Sequence, residues 1–341
     1  MESLSQVSIV VDLKKLRYNL QHTYELCQEK GIDLAVVAKS VCADHKILEV
    51  METSPASIIA DSRLDNLASM QTNMKRLLIR PCAPQEARAV IAHTEMSMQT
   101  TFTTVQAIAD AAEQAENVHD ILLMIDLGDL RDGIYYTDEE QMVAIAAYIH
   151  QHPALRLAGL AANYNCLSGL QPNPGNMAMM TTIFHRLESY YDIEKPIVSC
   201  GNSSSVALLT EDKYPIPPEI NQFRMGEAIV LGRDPSDNTL IPGYDYNVFI
   251  LEVALIEIYE KPVYGKLMRR GVLSIGKQDI QVQHILPIDP RIHIIGACSD
   301  ECVVDLSDAP EYLVGNLVKF HLEYNALMTL FAGHFINKRY V

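Results

Sequence analysis

The sequence predicts a TIM-type (β/α)8 barrel followed by a mostly β second domain. Three observations carry this expectation. Apolar, β-branched runs alternate with helical stretches through the first two-thirds of the chain, about eight times. After about Gly232 that alternation stops, and short strand-like runs separated by turn residues take over. The polar residues that stand out, Lys39 foremost, follow strand-like runs directly, and that end of a barrel carries its chemistry.

A short apolar segment at 7–11 opens the chain as a strand and a polar-apolar helix follows at 13–29. The barrel strands are expected at 34–39, 57–60, 76–80, 95–98, 121–126, 157–162, 196–199 and 222–224. Helices are expected between most of them, at 45–51, 63–70, 84–92, 104–116, 139–150, 175–190 and 204–209. The count and continuity favour a closed barrel over an open doubly wound sheet. Residues 235–246, rich in Pro, Gly, Asp and Asn, read as a linker. Strands are then expected at 249–258, 271–275, 280–285, 292–296, 302–306 and 317–322. The expected division is 1–234 for the barrel and 235–341 for the β domain, with residues 1–11 open to pairing with the latter.

With 341 residues, the chain has room for a large core and two domains. A formal net charge of −16 argues against nucleic acid as a partner. Seven cysteines without CxxC spacing read as neither a disulfide framework nor a zinc site. No metal site is expected; His45 and His293 lack matching partners. No apolar run is long enough to span a bilayer, and 1–11 has no signal-peptide pattern, so the expected location is the cytoplasm.

Lys39 ends the buried run 32–39, and an amine at a strand end is a candidate nucleophile. Asp126-Leu127-Gly128-Asp129-Leu130-Arg131 follows the fifth barrel strand, Asn163 the sixth, Gly201-Asn202-Ser203-Ser204-Ser205 the seventh, and Arg224-Met225-Gly226-Glu227 the eighth. The loops after the seventh and eighth strands commonly hold a phosphate. Glycine, Asn and three serines opening a helix suit an anion, although the same run also suits an ordinary N-cap. The Met177 to Met180 stretch reads as core packing.

Six segments in order, VVAKS (36–40), IADSRLDNL (59–67), IDLGDLRDGI (125–134), CGNSSS (200–205), FRMGEAIVLG (223–232) and IGACSDECVVDL (295–306), resemble the alanine racemase family of fold-type III pyridoxal-phosphate (PLP) enzymes, and most closely its ornithine racemase-like branch. The resemblance implies a PLP-dependent amino-acid racemase, acting on ornithine or another basic amino acid by two-base proton transfer at Cα. It also implies a homodimer whose active sites borrow residues from the partner's β domain. Lys39 corresponds to the lysine that carries PLP, and Arg224 to the arginine facing the pyridine nitrogen. Asn202 and Ser203, with neighbouring Ser204, correspond to phosphate-binding residues, Gly226 and Glu227 supply backbone amides, and Tyr324 reaches the phosphate. Asn163 stands where alanine racemases carry a histidine behind that arginine. Arg131 corresponds to a substrate-carboxylate ligand, and Ser299 and Asp300 to partner residues lining that carboxylate.

Two departures stand out. The tyrosine that follows the PLP lysine in alanine racemases is Ala43 here, and the partner tyrosine that acts as second base is Lys277. Lys277 is therefore the candidate second base, with Cys298 the alternative. A cationic substrate side chain needs a carboxylate, for which Asp129, Asp132, Asp300 and Glu301 are candidates. Alanine or broad-specificity racemisation is the alternative activity. A fold-type III lyase, with its His-X-Cys metal pattern, and a non-catalytic PLP-binding single barrel are poorer matches.

Overall fold

In the computed structural model, residues 7–341 are described; residues 1–6 lie outside them. Eight parallel strands close into a barrel: β2 (Asp33–Val37), β3 (Ile58–Asp61), β4 (Lys75–Leu78), β5 (Met96–Gln99), β6 (His119–Asp126), β8 (Leu155–Ala162), β9 (Ile197–Asn202) and β10 (Gln222–Met225). β10 pairs with both β2 and β9, and β5 with β6, so no barrel edge stays open. A two-residue strand, β7 (Ile134–Tyr135), adds to the end of β6. The helices α1 (Leu13–Glu29), α2 (His45–Met51), α3 (Leu64–Ser69), α4 (Ala87–His93), α5 (Phe102–Gln114), α6 (Glu139–Gln151), α7 (Pro174–Tyr190), α8 (Val206–Thr210) and α9 (Glu227–Leu231) alternate with the strands.

The period of two along each strand divides the barrel's residues between two cores. Ala35, Val37, Ala60, Leu77, Met98 and Met124 are among those filling the lumen. Their neighbours Leu34, Val36, Ile59 and Leu78 join the larger core outside the lumen. In β10 the same alternation sends Phe223 and Met225 to that outer core. Gln222 and Arg224 take the opposite face, both buried, and Ser199 Oγ of β9 donates to Gln222 Oε1 at 2.8 Å.

The second sheet is built on a 15-residue strand, β11 (Phe249–Val263). Its first half pairs with β1 (Val7–Val11) and β16 (Leu317–Leu322), and its second half with β12 (Lys266–Leu273). β13 (Ile285–Pro287), β14 (His293–Ala297), β15 (Cys302–Asp305) and β17 (Asn337–Tyr340) complete it. The opening strand thus lies antiparallel to β11 and parallel to β17. β11 runs beyond its expected end because the turn to β12 is only Tyr264-Gly265, both at positive φ, as a two-residue hairpin loop demands. At 280–285, expected as a strand, a 3-10 turn (Val282–His284) precedes β13. A helix, α10 (Tyr324–Ala332), packs against the Lys39 turn. No helix among the described residues is long and apolar enough to cross a membrane.

Candidate active site at the barrel mouth

β2 ends at Val37, two residues earlier than expected, and Lys39 opens a 3-10 turn (Lys39–Val41). Cys42 and Ala43 then take left-handed φ of 48° and 52°, and Asp44 caps α2 by accepting from Lys46 N and Ile47 N. The far end of the chain holds this turn down. Tyr340 donates its hydroxyl proton to Asp44 Oδ2 at 2.6 Å, and Lys338 Nζ lies 3.5 Å from the same oxygen. The Lys39 amino group stands 5.8 Å from the centre of the Tyr324 ring, at the start of α10. Burial, with the nearby Glu227 carboxyl, pushes the Tyr324 phenol well above its ordinary range, so it is a neutral donor at working pH.

Arg224 stands inside the barrel at 4 % exposure, with four hydrogen bonds. Nη1 donates to Ser199 O (2.7 Å) and Oγ (2.6 Å); Nη2 donates to Ala162 O (2.7 Å) and Asn163 Oδ1 (2.8 Å). Burial pulls its guanidinium down to about 10, still far above neutrality, so the charge persists. Asn163 passes the contact outward: its Nδ2 donates to Asp132 Oδ1 at 3.2 Å. Arg131 Nη2 lies 2.9 Å from that same oxygen. A continuous path therefore joins Arg131, Asp132, Asn163 and Arg224.

The loop bearing Arg131 is closed at its base by the β6–β7 pairing. It turns on positive φ at Gly128, Leu130 and Gly133, and Asp126 Oδ1 accepts from Gly128 N and Leu130 N. Asp129, 3 % exposed, clasps the next loop by accepting from Cys166 N, Leu167 N, Ser168 N and Ser168 Oγ at 3.1–3.3 Å. Two acids considered for a cationic side chain, Asp129 and Asp132, are thus occupied within the chain.

After β9 and β10 two turns meet. Asn202 is held from both ends: its Nδ2 donates to Tyr164 O at 2.7 Å and its Oδ1 accepts from Ser204 N at 3.1 Å. Ser203 Oγ accepts from Gly226 N (3.1 Å) and Ala228 N (3.2 Å), joining the two turns. A Cβ at Gly201 would stand 2.2 Å from the Phe223 ring, and one at Gly226 2.9 Å from Val37 O, so glycine is required for this approach. Ser203 and Ser204 are buried here. Burial pushes the Glu227 carboxyl up to about 7; Lys39's charge opposes that rise, and Asp234 and Glu323 reinforce it.

Lys277, Cys298, Ser299 and Asp300 come together elsewhere, in the β domain. Lys277 N donates to Cys298 O at 2.9 Å and Gln278 N to Ser299 O at 3.0 Å, while Ser299 Oγ donates to Asp300 Oδ2 at 2.8 Å. All four side-chain positions are exposed, as is Glu301. Their hydrogen bonds among the described residues stay within this pair of turns and none reaches the barrel mouth.

Two groups near Lys39 were not singled out from the sequence. Asp61, fully buried at the end of β3, accepts from Arg63 N and Asn66 Nδ2; burial raises its pKa, and Lys39 is among the groups opposing the rise. Its signal was an acid closing an otherwise apolar strand, Ile58–Asp61. Cys166 is an exposed residue whose thiol is raised by desolvation from the groups around it and by Asp129, against the charges of Arg131, Lys39 and Arg224. No sequence pattern marked it.

The barrel mouth fits PLP by the chemistry of its donors: an amine for the aldehyde, paired turns lined with backbone N–H groups and hydroxyls for the phosphate, and a charged guanidinium in the lumen. The family model described as alanine racemase, N-terminal domain, matches residues 11–234. An ornithine racemase of Acetoanaerobium sticklandii is 32 % identical, over 97 % of this chain and 98 % of that protein. A lysine racemase of Thermotoga maritima is 26 % identical over the same shares, 97 % and 98 %. Among solved structures, an alanine racemase of Clostridium difficile 630 superposes with a TM-score of 0.80 at 16 % identity, covering 100 % of this chain and 97 % of that one.

Proposed function

Because the chain belongs to the alanine racemase family of PLP-dependent amino-acid racemases, we propose that it racemises a basic amino acid, ornithine foremost, in a site shared between two subunits. The observation that carries this reading is the convergence of Lys39, Arg224 and the Ser203–Gly226 cradle at one barrel mouth. The substrate assignment rests on the ornithine and lysine racemases it resembles across nearly their full lengths.

PLP supplies an electron sink for the pair left at Cα when its proton departs. In this reading Lys39 would hold the cofactor through its aldehyde, and its amine would move the proton on one face of Cα. Ser203, Ser204, Tyr324 and the amide of Glu227 would hold the phosphate, with Asn202 bracing the turn; the Gly226 amide would join them by exchanging Ser203 Oγ for a phosphate oxygen. Arg224 would face the ring nitrogen and, because it keeps its own proton, would leave that nitrogen unprotonated and so restrain side reactions. Arg131 orients the substrate carboxylate. Lys277, Ser299 and Asp300 come from the partner, Lys277 as base on the opposite face.

Exposed Leu267, Leu286, Ile288 and Ile295 support a subunit interface on the β domain. Seven free cysteines support a cytoplasmic location. With Asp129 committed to the neighbouring loop and Asp132 ion-paired to Arg131, the partner's Asp300 and the partner's Glu301 are, of the four candidates, the ones favoured for a cationic side chain. The test is a chirality assay of the PLP-loaded protein on both enantiomers of ornithine, lysine and alanine. Fastest turnover of ornithine or lysine supports the reading; fastest turnover of alanine overturns the basic substrate, and no racemisation overturns the activity.

A further inference from the structure

We propose that Asp132 is a positioning residue that sets both active-site arginines at once. The inference rests on the roles given above to Arg131 and Arg224. A single oxygen, Asp132 Oδ1, meets Arg131 Nη2 at 2.9 Å and Asn163 Nδ2 at 3.2 Å, and Asn163 Oδ1 meets Arg224 Nη2 at 2.8 Å. Arg131 sits on a loop and is 39 % exposed, whereas the Asp132 side chain is 16 % exposed. A long, exposed arginine samples many rotamers, and a less exposed carboxylate beside it selects one of them.

On the other side Asn163 has two polar ends, and its orientation follows from what each meets. The acid accepts from the amide nitrogen, which turns the amide oxygen toward Arg224. Without Asp132 the amide has no such constraint, and one of Arg224's four hydrogen bonds loses its anchor. The guanidinium meant for the substrate and the one meant for the cofactor therefore share one carboxylate as their register. The same geometry commits Asp132 Oδ1 to two donors of its own chain, one of them a cation that already balances the carboxylate's charge.

The test compares Asp132→Ala, Asp132→Asn, Asn163→Ala and the Asp132→Ala/Asn163→Ala double variant in the PLP-loaded protein. The KM and kcat of each are read for ornithine, lysine and alanine, together with the cofactor absorption band over a pH series. Asp132→Ala is expected to raise KM for all three amino acids alike, by about tenfold or more, the effect of one lost charge-assisted hydrogen bond. It should also shift the band in the same direction as Asn163→Ala. In the double variant the band should move no further than in the larger single, because the two act in series. Asp132→Asn, which keeps an acceptor, should restore much of the band while leaving KM raised. A KM increase confined to ornithine and lysine with an unmoved band would overturn the proposal and make Asp132 a side-chain receptor. An unchanged KM and band, or fully additive band shifts, would overturn it as well. Wild-type preference for alanine would overturn only the substrate reading, since carboxylate positioning is common to all three amino acids.

Discussion

The barrel mouth and the paired turns of the β domain are both rich in polar groups, yet their side chains are held in opposite ways. At the mouth, Arg224 is 4 % exposed with four hydrogen bonds, Asn202 is tied at both ends of its amide, and Ser203 bridges two turns. In the β domain Lys277, Cys298, Ser299 and Asp300 are exposed, and mostly backbone hydrogen bonds local to their turns hold them together. Buried polar groups must find partners within the chain, so the mouth is organised before any ligand arrives. Exposed side chains on a braced backbone are placed but not engaged, the state expected of groups whose counterpart lies on another molecule. On the proposed shared site, the comparison separates a half completed by its own chain from a half that a second copy would complete.

The sharpest way to break that division is to remove the proposed second base. Lys277→Ala is expected to keep PLP bound and to lose racemisation by roughly 10²–10⁴-fold, the range for general acid–base assistance. Cys298→Ala should cost far less. Exchange of the Cα proton in deuterated water distinguishes them: near-normal exchange and racemisation in Lys277→Ala, with loss in Cys298→Ala, would assign the base to the thiol.

A smaller effect probes the finished half. Glu227 has a folded-state pKa of about 7, raised from an ordinary 4.5. The folded chain thus holds this proton more tightly than the unfolded chain. The stability contributed is full below about 4.5, declines as pH rises, and is lost above about 7. In the cofactor-free protein, Glu227→Gln should therefore gain on wild type between pH 5 and pH 8, on the order of 3 kcal/mol. Thermal melts of both proteins across that range check it; a Tm difference independent of pH would show that Glu227 is not held as described.

Barrel strands such as β2, β3 and β6 were legible as apolar runs buried on both faces, whereas β4 opens on Lys75 and Arg76 and β10 alternates Gln-Phe-Arg-Met. The candidate residues of the barrel mouth stood out because they follow such strands directly. β17, reading Asn-Lys-Arg-Tyr, carries no apolar alternation and is a strand only because β1 pairs with it. α10 begins at the candidate residue Tyr324, and its nine residues, apolar apart from Asn325 and Thr329, are too few for periodicity to separate helix from strand. The early end of β2 at Val37 comes from the turn that Asp44, Tyr340 and Lys338 brace, a contact across nearly the whole chain. Asp129 and Asp132 looked equivalent in sequence as acids beside Arg131. Only the loop's positive-φ positions at Gly128, Leu130 and Gly133 send one to the neighbouring loop and the other to the two arginines.

The most direct test of the shared site is subunit complementation. Lys39→Ala and Lys277→Ala, each expected to be inactive, are co-expressed with different tags, and the mixed dimer is purified. In that dimer one site has lost both lysines and the other retains both. The account predicts about half of the wild-type activity per dimer, set by one intact site of two. A mixed dimer no more active than either parent would contradict a site built from two chains.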